Sequence, residues 1–533
     1  MLIITFTNYK KYLLLHKIAY MKTYFYIFIG LFLTLTSCRE DFEFQQSIGK
    51  LEFSKDTIYL DTVFTDIGSS TYTLKLYNRS NKNISIPVIK LRDSINSKYR
   101  LMVDGMAGQK FTNVEMLAKD SMYIFISVTA EVTDANSTDY LYTDKILFGD
   151  ENNPNHQKVE LVTLIQDAYF IYPGRVQNPD ESYTYDTLNL GTDNNGNPVS
   201  IRGRFLNDNH PINGNELQWN NSKPYVIYGY SAIPANQTLT VDPGARIHFH
   251  SESGLIVANN ASLQVNGTNA NQVVFEGDRL EPGFSETPGQ WGTIWFTQGS
   301  TNNILSNLIV KNATVGMLVT GNDGTPNPSL TLNNVQVYNC SNVGILARTG
   351  RITGQNVVIN NCGEVAFAGT FGGSYDFTHC TFANYWPRPN QTCVVLSDDK
   401  INNVPTPLES ANFKNCIIYG SSNLGISLKK EGTTFNYFFE NCLIKFVDFN
   451  NQFQNNPLYP NLSTNYSNCL IATNATLNRP EFKNPTNNEL QIGENSAARG
   501  TANFTFSSGT FDILNLSRTN PSDIGAYNWT TFD

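Results

Sequence analysis

Phe413-Lys414-Asn415-Cys416-Ile417-Ile418 and Phe439-Glu440-Asn441-Cys442-Leu443-Ile444 share an aromatic, an Asn-Cys pair and a closing Ile at the same places. The pattern recurs at Phe377 to Phe382, with His379 in the Asn place, and at Tyr466 to Ile471. A second phase lies upstream. Asn334-Val335-Gln336-Val337-Tyr338-Asn339-Cys340 leads to Gly344-Ile345-Leu346, and Asn356-Val357-Val358-Ile359-Asn360-Asn361-Cys362 leads to Ala366-Phe367. Asn307 to Asn312 with Gly316-Met317 repeats it without Cys. Cys340 and Cys362 are 22 residues apart, room for one coil of three short strands and their turns. Repeats of this length mark an array in which each coil buries its inward side chains on the coils above and below.

This reading places the repeated Cys at one coil position, as small apolar residues stacked in a column. Parallel strands hold neighbours ~4.8 Å apart with side chains pointing alike, poor geometry for disulfides. No disulfides are therefore expected. No pair shows the two-to-four-residue spacing of zinc ligands. The Asn before each Cys suits a bend, where it tolerates left-handed backbone and can join an amide ladder.

Leu239-Thr240-Val241-Asp242-Pro243-Gly244, with Ile247, Phe249, Gly254 to Val257, Leu263 and Gly267, resembles the opening coils of right-handed parallel β-helix proteins of the pectate-lyase-like fold. Trp291 to Phe296 continues it. Phe482 to Pro485, Ser496 to Gly500 and Asp523 to Tyr527 resemble the terminal cap of secreted, surface-anchored members. The resemblance implies an all-β chain with a β-helix over 225–480 and a cap over 481–533. It transfers no catalytic motif, because the fold carries lyases, hydrolases and adhesins alike.

The alternation is different ahead of the repeats. From Leu51 to about Asp167, runs such as Thr71 to Tyr77, Ile84 to Leu91 and Met122 to Val128 alternate apolar and polar residues between turn-rich stretches. That is the pattern of an antiparallel sandwich with half of each sheet buried. An immunoglobulin-like module over 51–168, without the usual disulfide, is expected, with 169–224 as a connecting segment.

Met21 and Lys22 precede an apolar run from Tyr24 to Leu35, the length of a signal-peptide core. Leu35-Thr36-Ser37-Cys38 follows and resembles a lipobox, which makes residues 1–37 a signal peptide and Cys38 the acylated first residue of a tether over 38–50. Met21 fits the true start better than Met1. Arg39-Glu40-Asp41 resembles the signal that sends lipoproteins of the Bacteroidota to the outer face of the outer membrane. Asp56-Thr57-Ile58, Asp61-Thr62-Val63, Asp93-Ser94-Ile95 and Asp120-Ser121-Met122 resemble that phylum's O-glycosylation triplet.

The formal charge is -9, and the signal segment holds four Lys and no acid, which leaves 33 basic against 46 acidic residues after its removal. With no basic stripe, nucleic acid is not an expected partner. The expected partners are the membrane, through the lipid anchor, and polysaccharide; no cofactor is expected.

Three clusters could carry chemistry. His248, His250 and Glu252 alternate and could hold a metal; the plainer reading is a solvated strand face. Tyr385, Trp386 and Arg388 sit in a Pro-rich loop suited to stacking on sugar rings and bonding their hydroxyls. Asp398-Asp399-Lys400 pairs acids with a base, or is simply a loop leaving a strand. Trp291 and Trp295 read as packing, and the Gly stretches near Gly321 and Gly372 lack a phosphate-loop pattern.

A non-enzymatic surface module that binds polysaccharide or another surface component is the leading expectation. The alternatives are a lyase or hydrolase acting on acidic glycans, and an architectural scaffold. Replacing Cys38 by Ala is expected to abolish acylation and release the protein from membranes. Palmitate labelling and cell fractionation check it; a C38A protein still membrane-bound and unchanged in mass contradicts the anchor.

Overall fold

The computed structural model describes residues 43–48, 50–135, 140–149, 157–192, 195–389 and 391–532. The signal segment, Cys38 and the start of the tether lie outside the described residues. Among those residues the chain is all-β, with helical structure confined to short 3₁₀ turns, and no helix is long and apolar enough to cross a membrane. It divides into two compact units: one of the described residues up to Leu60 with Gly68–Ala130 and Leu141–Thr163, the other of Asp61–Ile67, Glu131–Tyr140 and Leu164–Asp533.

The first unit follows its alternation. Tyr72–Tyr77 pairs antiparallel with Ser121–Val128, which pairs with Tyr99–Val103, in a five-stranded sheet. Ile84–Leu91, Lys110–Met116 and Leu141–Gly149 belong to a six-stranded sheet. Leu74, Leu76, Leu101, Ile124 and Ile126 of one sheet and Ile86, Ile89, Ile146 and Phe148 of the other are buried. The unit has no Cys, and a tyrosine cross-links the sheets instead. Tyr99 stacks on Tyr142 at 5.1 Å, and its hydroxyl lies 2.9 Å from both the Tyr142 carbonyl and Thr163 Oγ1.

The second unit is dominated by three long sheets of 11, 10 and 10 strands, parallel throughout except at the edge strand Thr187–Thr192. Successive strands enter different sheets, and each strand pairs in parallel with its counterpart in the next coil. The 22-residue repeat is one such step: Gln336 lies in register with Val358 and Cys340 with Cys362. Larger steps absorb insertions. Between Thr381 and its partner Ile417 the chain adds the loop around Pro387 and the small hairpin of Lys400–Ile401 with Val404–Pro405. Pairing begins earlier than expected, since the 169–224 stretch supplies the first parallel-paired strand of each sheet: Tyr169–Ile171, Pro198–Phe205 and Gln218–Trp219.

Each letter of the repeat has a place. Its aromatic forms a buried column, Phe377 on Phe413 at 5.5 Å, Phe413 on Phe439 at 5.0 Å and Phe439 on Tyr466 at 5.1 Å, all with near-parallel rings. The next-but-one residue is the bend, left-handed at Asn307, Asn334, Asn356, His379, Asn415, Asn441 and Asn468. Asn356 donates to the side-chain oxygen of Asn334, and Asn334 to that of Asn307, which makes the amide ladder real.

The cysteines occupy two coil positions rather than one. Cys380, Cys416, Cys442 and Cys469 enter the strand of the 11-stranded sheet, whereas Cys340 and Cys362 leave it, each after a second left-handed Asn, Asn339 or Asn361. The two sequence phases are thus the two ends of one strand, and Cys393 stands on another sheet. All seven are free. The Cys380 N–H donates to the Cys416 sulfur and the Cys416 N–H to the Cys442 sulfur, both at 3.4 Å. Burial pushes the Cys393 thiol up to about 12 and raises Cys362, Cys380 and Cys442 as well, so these are neutral packing groups.

Residues 481–532, expected as an end cap, run along the flank of the coils. The outer residues Tyr338, Val358 and Ala383 pack against Leu490, Ile513, Ala526 and Tyr527, and Ile417, Tyr419 and Leu443 against Ile492, Ala498 and Ile524. A parallel sheet needs both faces covered, and this segment covers the outer one. Polar pins fix it: Arg518 to the Asn356 side-chain oxygen and the Gly525 carbonyl, His379 Nε2 to Ser507 Oγ at 2.8 Å, and Asn415 reciprocally to Asn503. Burial drives the His379 imidazole down to about 3, which keeps it neutral. At Gly525 a Cβ would meet the Ile417 side chain at 2.6 Å, so only glycine lets the segment lie this close.

Phe413 is stacked on both sides, and no smaller residue fills its place. Phe413→Ala is expected to cost about 3–5 kcal/mol. Denaturant unfolding of the two proteins checks it; a loss below ~1 kcal/mol would mean that the aromatic column does not carry the coil.

Candidate functional site

The first coil carries an insertion that builds a cleft. Arg175–Gln177 and Tyr183–Tyr185 form an antiparallel hairpin in which Arg175 faces Tyr185 and Gln177 faces Tyr183. Its turn is locally encoded. Asp180 Oδ1 accepts from the Ser182 N–H and hydroxyl, Asn178 holds Ser182 and Thr184, and Glu181 takes the left-handed conformation at φ 66°. Thr187–Thr192 then folds back on Pro198–Phe205, pairing Thr187 with Arg202.

These pairings interleave cations and rings. The Arg175 guanidinium lies 4.7 Å from the Tyr183 ring centre and that of Arg202 3.7 Å from Tyr185, while the two tyrosine rings are 6.5 Å apart. Arg175, Tyr185 and Arg202 line a cleft of about 1020 Å³, together with Tyr169, Tyr172 and Tyr228. Arg204, His210 and Lys223 also border it, and the Asp61–Ile67 segment contributes its one carboxylate, Asp66.

Three of the five basic side chains are already engaged. Arg204 forms a two-pronged pair with Glu216 at 2.7 and 2.6 Å, and Glu216, only 1% exposed, also accepts from Asn213 and the Asn207 N–H. His210 Nδ1 accepts from the Asn213 N–H and lies 3.7 Å from Glu216, and Lys223 reaches Asp167 at 2.5 Å. Arg175 and Arg202, both exposed, are joined to no carboxylate among the described residues. Stacking on a ring leaves the edge of a guanidinium open for two parallel hydrogen bonds to a planar anion. Tyr228 also lines the cleft. Burial pushes its phenol up to about 12, so it stays a neutral hydroxyl, and it stacks on His250 at 4.4 Å.

The residues singled out from sequence fall elsewhere. His248, His250 and Glu252 do not converge as a ligand set. The strand ends at Phe249, His248 is buried with Nδ1 3.2 Å from the Gly277 carbonyl, His250 pairs with Asp278 at 2.7 Å, and Glu252 is exposed in a left-handed turn. Burial lowers the His248 pKa. Among the described residues no group of three or more His, Cys, Asp or Glu is placed to hold a metal ion.

Tyr385, Trp386 and Arg388 also separate. Tyr385 packs on Phe482 at 6.1 Å with its phenol raised by burial, so it anchors the flanking segment. Trp386 is half-buried, and only Arg388 reaches a shallower groove of about 640 Å³, beside Asn423, Val447 and Phe449. Asp398 is fully buried and accepts the Glu431 and Gly432 N–H groups, Asp399 pairs with Lys429, and Lys400 with Glu431. That cluster ties a hairpin to its neighbour. Trp291 and Trp295 donate to the Lys311 carbonyl and Thr320 Oγ1, as packing residues do.

The cleft residues carried a faint signal. Tyr183-Thr184-Tyr185 and Arg202-Gly203-Arg204 each put two like side chains on one strand face, but which strand meets which is a matter of pairing.

No family model matches the sequence, and no curated protein does. Among solved structures, the chain is similar to the ASH / PapD-like domain of human CEP192 (PapD-like domain 7), at 13% identity over 22% of this chain and 87% of that one, with a TM-score of 0.15.

Glu216 neutralises Arg204 and holds it in place on the cleft's border. Burial alone would raise its pKa, but bonds from Arg204, Asn213 and Asn207 outweigh that and hold it below 4.5. Its stabilisation is therefore complete above about pH 4.5 and is lost as pH falls through the lower folded value. Glu216→Ala leaves a part-buried guanidinium unpaired and is expected to cost about 3–5 kcal/mol at neutral pH. Thermal melting and proteolysis at 207–216 check this; an unchanged melt would show the pair to be dispensable.

Proposed function

We propose that this chain is a lipid-anchored surface protein of the Bacteroidota type, facing outward from the outer membrane, that binds polysaccharide without cleaving it. In this reading the first unit is an immunoglobulin-like spacer. The second is a right-handed parallel β-helix of the pectate-lyase-like kind, a reading supported by its three long parallel sheets and 22-residue coil step. The anchor rests on Lys22, the apolar run and Cys38 in sequence.

The observation that carries the binding role is the cleft of the first coil. Its volume admits more than one sugar ring, and its tyrosines offer flat apolar faces with hydroxyls at their rims, which suits pyranose rings. Catalysis is the weaker reading. Glycoside hydrolysis employs two carboxyl groups across the bond, and Asp66 is the one carboxylate on this lining. Elimination from an acidic sugar remains the alternative, with His210 or a tyrosine as base beside an arginine.

The test is an array of neutral and acidic polysaccharides incubated with the purified mature chain and read for retention and for new reducing or unsaturated ends. Retention without cleavage is expected, and Tyr185→Ala should weaken it at least fivefold with the fold intact. New chain ends would overturn the non-catalytic reading, and no retention at all would leave the scaffold.

A further inference from the structure

We infer that the cleft selects anionic sugars, and that Arg175 and Arg202 are the residues that read the carboxylate or sulfate. This rests on the polysaccharide reading above and adds the ligand's charge to it.

The argument is one of unsatisfied chemistry. Of the five basic side chains on the cleft, Arg204, His210 and Lys223 face carboxylates of this chain. Arg175 and Arg202 face tyrosine rings instead, at 4.7 and 3.7 Å. Their partners Tyr183 and Tyr185 are two residues apart on one strand, so both guanidinium groups are held at the same edge of the hairpin. A stacked guanidinium has lost much of its rotamer freedom before a ligand arrives, so less ordering remains when it forks an oxyanion. The protein around them is acidic, with a net charge of -9. Long-range attraction therefore does not draw polyanions to the surface at large, and selection must come from contacts inside the cleft. Asp66, a carboxylate on the lining, repels an anionic ligand, so the anion is expected at the arginine edge and away from Asp66.

The experiment measures binding of the mature chain to alginate, heparin, carboxyl-reduced alginate and dextran at low and moderate salt. The expected result is binding to alginate or heparin at least tenfold tighter than to the two neutral glycans, with salt weakening only the former. The double variant R175Q/R202Q should lose that tenfold, so that alginate and heparin bind it no tighter than the two neutral glycans do. R175K/R202K, which keeps charge without the planar fork, should fall between them. Alginate carries carboxylates alone and heparin both carboxylates and sulfates, so binding to heparin without binding to alginate assigns the sulfate, and preference for either over the neutral glycans supports the inference. Equal binding to charged and neutral glycans overturns it while leaving the polysaccharide reading standing. So does acidic-glycan binding that the double variant leaves unchanged, which would place the anion elsewhere. Failure to bind any of the four overturns both. Both arginines are exposed, so matching melting curves for the variants show that a loss is not a loss of fold.

Discussion

A left-handed residue at a fixed point of each coil turns the chain from one parallel sheet into the next, and the body of the molecule depends on that turn. An L-residue with a Cβ resists this backbone, and Asn bears it best because its short amide can bond locally. Asn holds the position at Asn334, Asn356, Asn415, Asn441 and Asn468, and the amides of Asn307, Asn334 and Asn356 bond from one coil to the next. Because the bend falls at the same point each time, the residue two before it always meets its counterpart above and below. That is why rings stack at 5.0 to 5.5 Å without any long-range instruction in the sequence. The thiols follow for the same reason. A residue directly after a tight bend has little room, and Cys is small, apolar and able to accept a backbone N–H from the preceding coil.

His379 is the exception that shows how the column and the C-terminal segment are joined. It occupies the bend with φ 52° like the asparagines around it, but reaches further, to Ser507 and the Asn415 amide. A buried imidazole held near a pKa of 3 stays uncharged at any ordinary pH, so it can serve as a neutral polar pin where a charged residue would be costly to bury. Arg518 is a charged pin, and it spreads its donors over the Asn356 side chain and backbone carbonyls. The outer face of the 11-stranded sheet is thus covered by apolar contacts and positioned by polar ones.

What was legible in the sequence divides along this line between repeated and unique features. The three-strand step, the aromatic column and the left-handed Asn could be read because each is written several times, as at Phe377, Phe413 and Phe439. The start of the coil was misplaced because its first strands, Tyr169–Ile171 and Gln218–Trp219, lack the repeat's bend and its Cys. The flanking segment reads as an end cap because Asp523 to Tyr527 contacts residues more than a hundred positions away, Thr381, Asn415 and Ile417 among them. His248 and His250 looked like one face because alternation was continued past Phe249, where the strand stops.

The cleft lies where the repeat is absent, and this has a physical basis. Inside the stack nearly every side chain answers to the coils above and below, so a substitution there is judged by packing. An insertion in the first coil has no such neighbours on one side. Its tyrosines and arginines are fixed by a hairpin and by each other, and Arg175 and Arg202 meet no carboxylate among the described residues. Arg204 marks the boundary: one strand position beyond Gly203 it is already committed to Glu216, while Arg202 on the other side of that glycine is not. Gly203 itself leaves no room for a side chain, since a Cβ would collide with the Tyr230 carbonyl, and the strand is thereby pressed onto the next coil between Arg204, paired with Glu216, and Arg202, which meets no carboxylate among the described residues. The same strand therefore closes the stack on one face and offers chemistry on the other.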